Sequence, residues 1–157
     1  MDLLLTGIAA GVLGTLVMDL LNSLVARTGV FLKIDVAMIG RMVAGWTRGR
    51  FRYGHPEEIE QVPNQMVYGY LAHFAMGVGL AVLFVLSWDL WIGRPVSPLW
   101  AVIYGVATSA VSFFFIYPSM GVGEFGRRSP ERIKAFITPL ANHFFYGVGL
   151  AIGVELI

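Results

Sequence analysis

The sequence contains no cysteine and little charge. Among its 157 residues the absence of cysteine excludes disulfides, thiol catalysis and cysteine-ligated metals. Charged residues make up 13% of the chain, whereas an ordinary soluble domain has about 25%. The net charge is only +1, without a dense basic run, which argues against nucleic acid as a partner. A chain with so few charges cannot build the charged surface that a soluble enzyme of this size needs.

Apolar residues take the place of the missing charge. They form 57% of the chain, and the mean hydropathy is +0.72. A membrane-spanning helix needs about 20 mostly apolar residues, and segments at about 3–26, 64–90, 99–120 and 133–157 meet that requirement. We therefore predict an all-α, polytopic membrane protein with four transmembrane helices in a single domain over residues 1–157, with the lipid bilayer as its main partner.

The basic residues predict the orientation of the chain. Ten of the 11 lysines and arginines lie in or beside the first and third connections between spans, and only Arg94 lies in the second. Because basic connections stay in the cytoplasm, both longer connections are expected to be cytoplasmic and both termini to face outward.

The first connection also contains a helical pattern. Apolar residues recur at helical spacing over about 35–46: Val36, Ile39, Met42, Val43 and Trp46. This pattern predicts an interfacial amphipathic helix, and the alternative is a lid over a site that opens to the cytoplasm. His55, farther along beside Pro56, is interpreted as a solvated loop histidine.

One nine-residue segment occurs twice. Residues 73–81 (HFAMGVGLA) and 143–151 (HFFYGVGLA) are identical at seven of nine positions. Internal repeats are common in membrane proteins, and here the second and fourth spans run in the same direction. The repeat predicts two related helical hairpins.

Three ionisable residues fall inside the predicted spans. Asp19, His73 and His143 all lie roughly 12–14 Å below the cytoplasmic surface, at a helical rise of about 1.5 Å per residue. Buried ionisable groups in a membrane are candidates for function. The polar side chains Asn22, Asn142 and Gln65 lie on or beside the same helical stripes, which completes the predicted buried polar site. Pro139 should also leave the carbonyl of Ala135 without its helical donor.

Several short motifs are spread along the chain. They are GVLGTLVMD (11–19), IGR (39–41) with GRFR (49–52), the first histidine segment (71–79), PSMGVG (118–123) and the segment 143–147. In these motifs the chain resembles a family of small bacterial inner-membrane proteins of unknown function with four expected helices. The resemblance implies a location in the bacterial inner membrane and marks Asp19, His73 and His143 as family positions. It implies no established activity.

Four functions remain open for the predicted site. The polar groups could serve structural packing in an accessory subunit of a membrane complex. Asp19 and a histidine could relay protons in the handling of an ion or small solute, which in so narrow a bundle suggests a homo-oligomer. His73 and His143 could ligate a haem, or together with Asp19 a single metal ion. The motif GVGEFG (121–126) follows a span rather than a strand, so it is interpreted as a turn and not a dinucleotide site.

Overall fold

The computed structural model describes residues 2–156, and within this range the chain is helical without strands. Four helices are long and apolar enough to cross a membrane, so the chain is a multi-pass membrane protein. The helices are α1 (Leu3–Val25, continued by a 3-10 turn at Ala26–Thr28), α2 (Val36–Trp46), α3 (Gln65–Ile92), α4 (Pro98–Ser119) and α5 (Arg132–Leu156). All four predicted spans are confirmed to within two residues at each end.

Small residues set the packing order of the bundle. Helix α1 packs between α3 and α5, and α4 packs on the other side of α5. A Cβ added at Gly11 would lie 2.6 Å from the Cα of Val78 on α3, and one at Gly149 would lie 2.6 Å from the Cα of Gly14 on α1. Helices without side chains at these points approach closely, which stabilises contacts between helices in lipid.

Helices α3 and α4 meet at one end only. The ring of Phe84 stacks on Tyr104 with centroids 4.4 Å apart, and the Tyr104 hydroxyl donates to the carbonyl of Leu80 at 2.8 Å. Trp88 packs beside Trp100 in the same region. At the opposite end of the bundle, where α1 and α4 finish and α3 and α5 begin, most of the basic residues lie; we call this the basic end. Toward it, a cavity separates α3 from α4.

Helix α2 packs tightly across the start of α3. Gly40 lies against the backbone of Gln65, and Gly69 lies against the carbonyl of Val36, without room for a side chain at either position. Ile39 and Met42 are buried in an apolar cluster at the basic end. The predicted helix therefore exists with almost the expected bounds, but its apolar face is turned to the bundle. Its position relative to lipid stays a prediction.

The segment GVGEFG (121–126) forms a tight loop at the basic end. Gly121, Gly123 and Gly126 all have φ near +75°, which favours glycine. Gly121 also lies against the backbone of His55. Within this loop, a hydrogen bond to its own backbone and the nearby guanidinium groups of Arg127 and Arg52 lower the pKa of Glu124. The loop thus brings the first and third connections together at the basic end. We call these two connections together the cap.

Candidate functional site

A cavity with a volume of about 330 Å³ lies between α3 and α4, toward the basic end. His73 on α3 and His143 on α5 both line it. The rest of its polar lining comes from two charged residues of the connection before α2, Lys33 and Asp35, and from hydroxyl and amide side chains: Ser112, Tyr117, Ser129, Thr138, Asn142 and Tyr146. Its other walls are largely apolar, and the connection before α2 forms part of one of them. Two of the three predicted ionisable residues are therefore brought together in one cavity.

Asp19 lies behind His73 rather than in the cavity wall. Its carboxylate is 2.8 Å from Nε2 of His73, a buried side chain. An ionised carboxylate only accepts hydrogen bonds, so Nε2 of His73 is the protonated ring nitrogen. This arrangement leaves Nδ1 as the ring nitrogen available to a ligand in the cavity.

His143 has a different environment, with both ring nitrogens bonded to hydroxyls of α4. Thr108 Oγ1 is 2.8 Å from Nδ1, and Ser112 Oγ is 3.0 Å from Nε2. Thr108 donates its single proton to the carbonyl of Gly105, so it must accept from Nδ1 of His143. In a neutral ring, Nε2 of His143 then accepts from Ser112, and this tautomer is opposite to that of His73.

A π-helical turn places Ser112 beside His143. The segment Ser112–Ile116 is wound as a π-helix inside α4, directly before Pro118. Such turns are frequent at functional sites. The turn was not predicted from the sequence, although Pro118 inside an apolar span is a signal of irregular winding.

The two asparagines form a separate network that holds the connection before α2. Asn22 donates through Nδ2 to the carbonyl of Leu32 at 3.0 Å and to Oδ1 of Asn142 at 2.9 Å, and its own Oδ1 accepts from the N–H of Ile34 at 3.1 Å. Thr138 accepts from the N–H of Leu32 at 2.9 Å. We call residues 29–35 the strap. Leu32 and Ile34 of the strap line the cavity, so these amides position one of its walls.

Gln65 lies apart from the histidines. Its Oε1 accepts from Nε of Arg41 at 2.8 Å and faces the N–H of Val62 at 3.4 Å. These contacts join α2 to the beginning of α3, and Gln65 is not among the residues that line the cavity. In this arrangement its contacts are structural.

Pro139 leaves the carbonyl of Ala135 free, and a hydroxyl from α4 takes the place of the missing donor. Tyr117 donates to that carbonyl at 2.9 Å. Both Tyr117 and Pro139 also line the cavity. The effect of the proline was predictable from sequence, but its new partner was not, because that partner lies on another helix.

Comparison with known proteins assigns the chain to a family. The model of the family described as "Protein of unknown function (DUF2938)" matches residues 8–157. The chain belongs to the DUF2938 family. Neither the search of curated proteins nor the search of solved structures finds a match to it. The family match covers every site residue from Asp19 to His143, and it names no activity for the DUF2938 chain.

The glycines of the repeated segment are mostly used inside the DUF2938 bundle. Gly77 lies against Thr15, Gly147 against Val102 and Gly149 against Gly14. Of these four glycines, only Gly79 is open. Apart from its chain neighbours and its own helix, the described chain has no atom within 4 Å of the position that a Cβ would take there. Three of the four glycines of the repeated segment therefore serve contacts within one chain.

The predicted cofactor sites can be tested against this geometry. Within residues 2–156 no group of three His, Cys, Asp or Glu side chains is placed to share a metal ion, because Asp19 faces His73 from outside the cavity. A haem would need a free nitrogen from each histidine. Both nitrogens of His143 are already bonded, and Nε2 of His73 is bonded to Asp19. The present arrangement therefore fits neither a bis-histidine haem nor a His/His/Asp metal site.

Proposed function

We propose that this protein handles a small ion or solute that binds in the cavity and exchanges a proton with His73. The main support is that one cavity of about 330 Å³ has both histidines in its wall while Asp19 is bonded to the far side of His73. Ligand cavities in proteins measure roughly 300–1,000 Å³ and combine apolar walls with a few converging polar groups. The observed cavity has both properties.

His73 is better suited to proton exchange than His143. The carboxylate of Asp19 holds Nε2–H of His73 and stabilises the ring when Nδ1 takes up a second proton. His143 has a hydroxyl on each nitrogen, and that of Thr108 has no proton to spare. We assign proton exchange to His73 and substrate positioning to His143.

The proposed two-hairpin repeat explains why the two histidines have different roles. In each half, a histidine pairs through Nε2 with the preceding spanning helix, with Asp19 in the first half and Ser112 in the second. Each partner lies four residues after a buried threonine, Thr15 or Thr108. We infer that the two halves descend from one hairpin and that only the first keeps a carboxylate.

We further propose a location in the bacterial inner membrane with both termini outside. The support is the distribution of basic residues, which favours a cytoplasmic position for the cap and for the adjoining cavity. A solute would then reach the histidines from the cytoplasmic side. Passage to the other side would require the aromatic contact between Phe84 and Tyr104 to open, or a homo-oligomer to supply a second path.

A structural role in a larger membrane complex is the second candidate. Its support is that each histidine is bonded to the other spanning helix of its own hairpin, as polar side chains that stabilise membrane bundles often are. This role requires the hydrogen bonds but not the cavity. The two candidates therefore make different predictions for variants that keep the bonds and alter the proton chemistry.

Proton flux in vesicles tests the proposal. Purified protein is reconstituted with a pH-sensitive dye inside, and external Na⁺, K⁺, Ag⁺, acetate and methylamine are supplied in turn as probes. We expect at least one probe to drive proton movement well above that of protein-free vesicles. The variants His73→Gln and Asp19→Asn should abolish that movement, since neither can exchange the same proton.

The third histidine supplies the matched control. His55 is exposed in the cap and lies outside the cavity, so His55→Gln should retain the flux of the unaltered protein. Equal flux in His73→Gln and the unaltered protein would contradict the proposal. The absence of flux with every probe, together with a large loss of thermal stability in His73→Gln, would favour the structural role.

A further inference from the structure

Methionines are concentrated around the cavity. Four of the seven methionines of the chain line it, namely Met18, Met38, Met76 and Met120. Leucine would supply apolar bulk in a membrane helix with a better-defined shape, and methionine adds a polarizable thioether sulfur. Four thioether side chains are therefore available to a ligand in one cavity.

Three of these side chains belong to, or pack against, a single apolar cluster. Met120 at the end of α4 is a buried member of the apolar cluster at the basic end, and Met38 of α2 and Met76 of α3 pack against that cluster. Met38 comes from α2, Met76 from α3 and Met120 from the turn that follows α4, and all three also line the cavity. Long helical side chains lean toward the beginning of their helix, so Met76 on α3 leans toward the basic end.

We propose that Met38, Met76 and Met120 form a thioether site for a soft monovalent metal cation, Cu⁺ in particular. Thioethers are soft ligands that select Cu⁺ over harder ions such as Mg²⁺ or Ca²⁺. The chain has no cysteine to compete for such an ion. A cation with an apolar, sulfur-bearing shell also suits a largely apolar cavity.

The inference rests on the proposed function only in using the same cavity as the binding site. It names the substrate class of that site and does not depend on proton exchange by His73. Cu⁺ passes through the site without changing its oxidation state, so no electron donor or acceptor is required. The strap and α2 would cover the ion, because Ile34, Met38 and Ile39 line the cavity on that side.

Competition for Cu⁺ tests the site. Full-length protein in detergent is titrated, under ascorbate and without oxygen, with Cu⁺ held by the chromogenic chelator bicinchoninate. We expect one Cu⁺ per chain. Changing even an outer partner of a metal site costs about 10–100-fold in affinity, so the variants Met76→Leu and Met120→Leu should each weaken binding by at least about tenfold. Leucine conserves the volume of methionine and should keep the fold.

Met66→Leu is the matched control, because Met66 lies on the same helix as Met76 but is exposed and outside the cavity. It should bind Cu⁺ as the unaltered protein does, and Ag⁺ should compete for the site whereas Zn²⁺ should not. Absence of Cu⁺ binding, or equal binding by the cavity variants and the control, overturns the inference.

The proposed proton exchange and the proposed Cu⁺ site can be rejected independently of each other. Proton flux that depends on His73 with another probe, in a protein that binds no Cu⁺, would retain the proposed function and reject the metal site. Methionine-dependent Cu⁺ binding without any proton flux would retain the metal site and reject proton exchange.

Discussion

The hydroxyl of Tyr117 replaces the helical donor that Pro139 removes. Without it the carbonyl of Ala135 would be buried unpaired, since Ala135 itself is only 1% exposed. Unpaired buried carbonyls are costly, and in a membrane no water is available to pair with them. This pair therefore joins α4 to α5 next to the cavity.

The coupling between these two residues can be measured. Tyr117→Phe should lower the free energy of unfolding by about 1–3 kcal/mol, because the buried carbonyl of Ala135 loses its donor. In a Pro139→Ala background the same change should cost much less, since an alanine at this position would restore the helical N–H. Unfolding in mixed SDS micelles measures both. Tyr68→Phe, on an exposed side chain of α3, serves as control, and an equal cost in both backgrounds would refute the coupling.

At the scale of single residues, the sequence identified the polar groups but not their partners. Asp19, His73 and His143 stood out because ionisable groups inside spans are rare. In the structure Asp19 bonds to His73, and Thr108 and Ser112 bond to His143. These partners depend on which helices lie next to each other. Those pairs are far apart in the chain, so no local pattern encodes them.

Among the helices, glycines at different positions of the repeated segments have different surroundings. Gly147 lies where a Cβ would be 2.8 Å from the Cα of Val102, whereas Gly79 is open. Gly147→Ala should therefore destabilise the bundle by about 1–3 kcal/mol through overpacking between α4 and α5. Gly79→Ala should be neutral or slightly stabilising, because alanine favours helix. Thermal unfolding in detergent compares the two, and a larger loss in Gly79→Ala would be inconsistent with this packing.

The strap offers a second test among the structural elements. Asn22→Ala removes the side-chain hydrogen bonds to Leu32, Ile34 and Asn142, so amide hydrogen exchange across residues 29–35 should become faster. Local opening of this kind is what exchange reports. Mass spectrometry of peptides that cover the strap gives the measurement. Ser23→Ala is the control, because the Ser23 hydroxyl bonds only within α1, and unchanged exchange in Asn22→Ala would show that the strap is held by other contacts.

The sequence predicted that each of these helices forms, but it did not predict which helices are in contact. Runs of apolar residues predicted four spans, and period 3.6 predicted α2. The face that α2 turns to α3 is fixed by Gly40 and Gly69, which admit backbone at close range. A hydrophobic stripe cannot by itself distinguish lipid from a neighbouring helix, since both are apolar.

For the whole molecule, the lack of cysteine allows orientation to be measured directly. Single cysteines introduced as Glu57→Cys and Arg94→Cys lie at exposed positions in the first and second connections. Because the chain has no other thiol, a membrane-impermeant maleimide labels only the new residue. In spheroplasts we expect labelling of Arg94→Cys, and labelling of Glu57→Cys only after lysis. The reverse pattern would invert the proposed topology.

The sequence alone determined the solvent of this protein, the number of its spans and the residues that are costly to bury. These properties follow from composition and from runs of apolar residues, which are local quantities. Only the tertiary structure decided that α3 and α4 meet at one end and diverge at the other, which creates the cavity. It also gave His73 a carboxylate and His143 two hydroxyls, because hydrogen bonds between helices depend on their packing, and small residues spread across the whole chain set that packing.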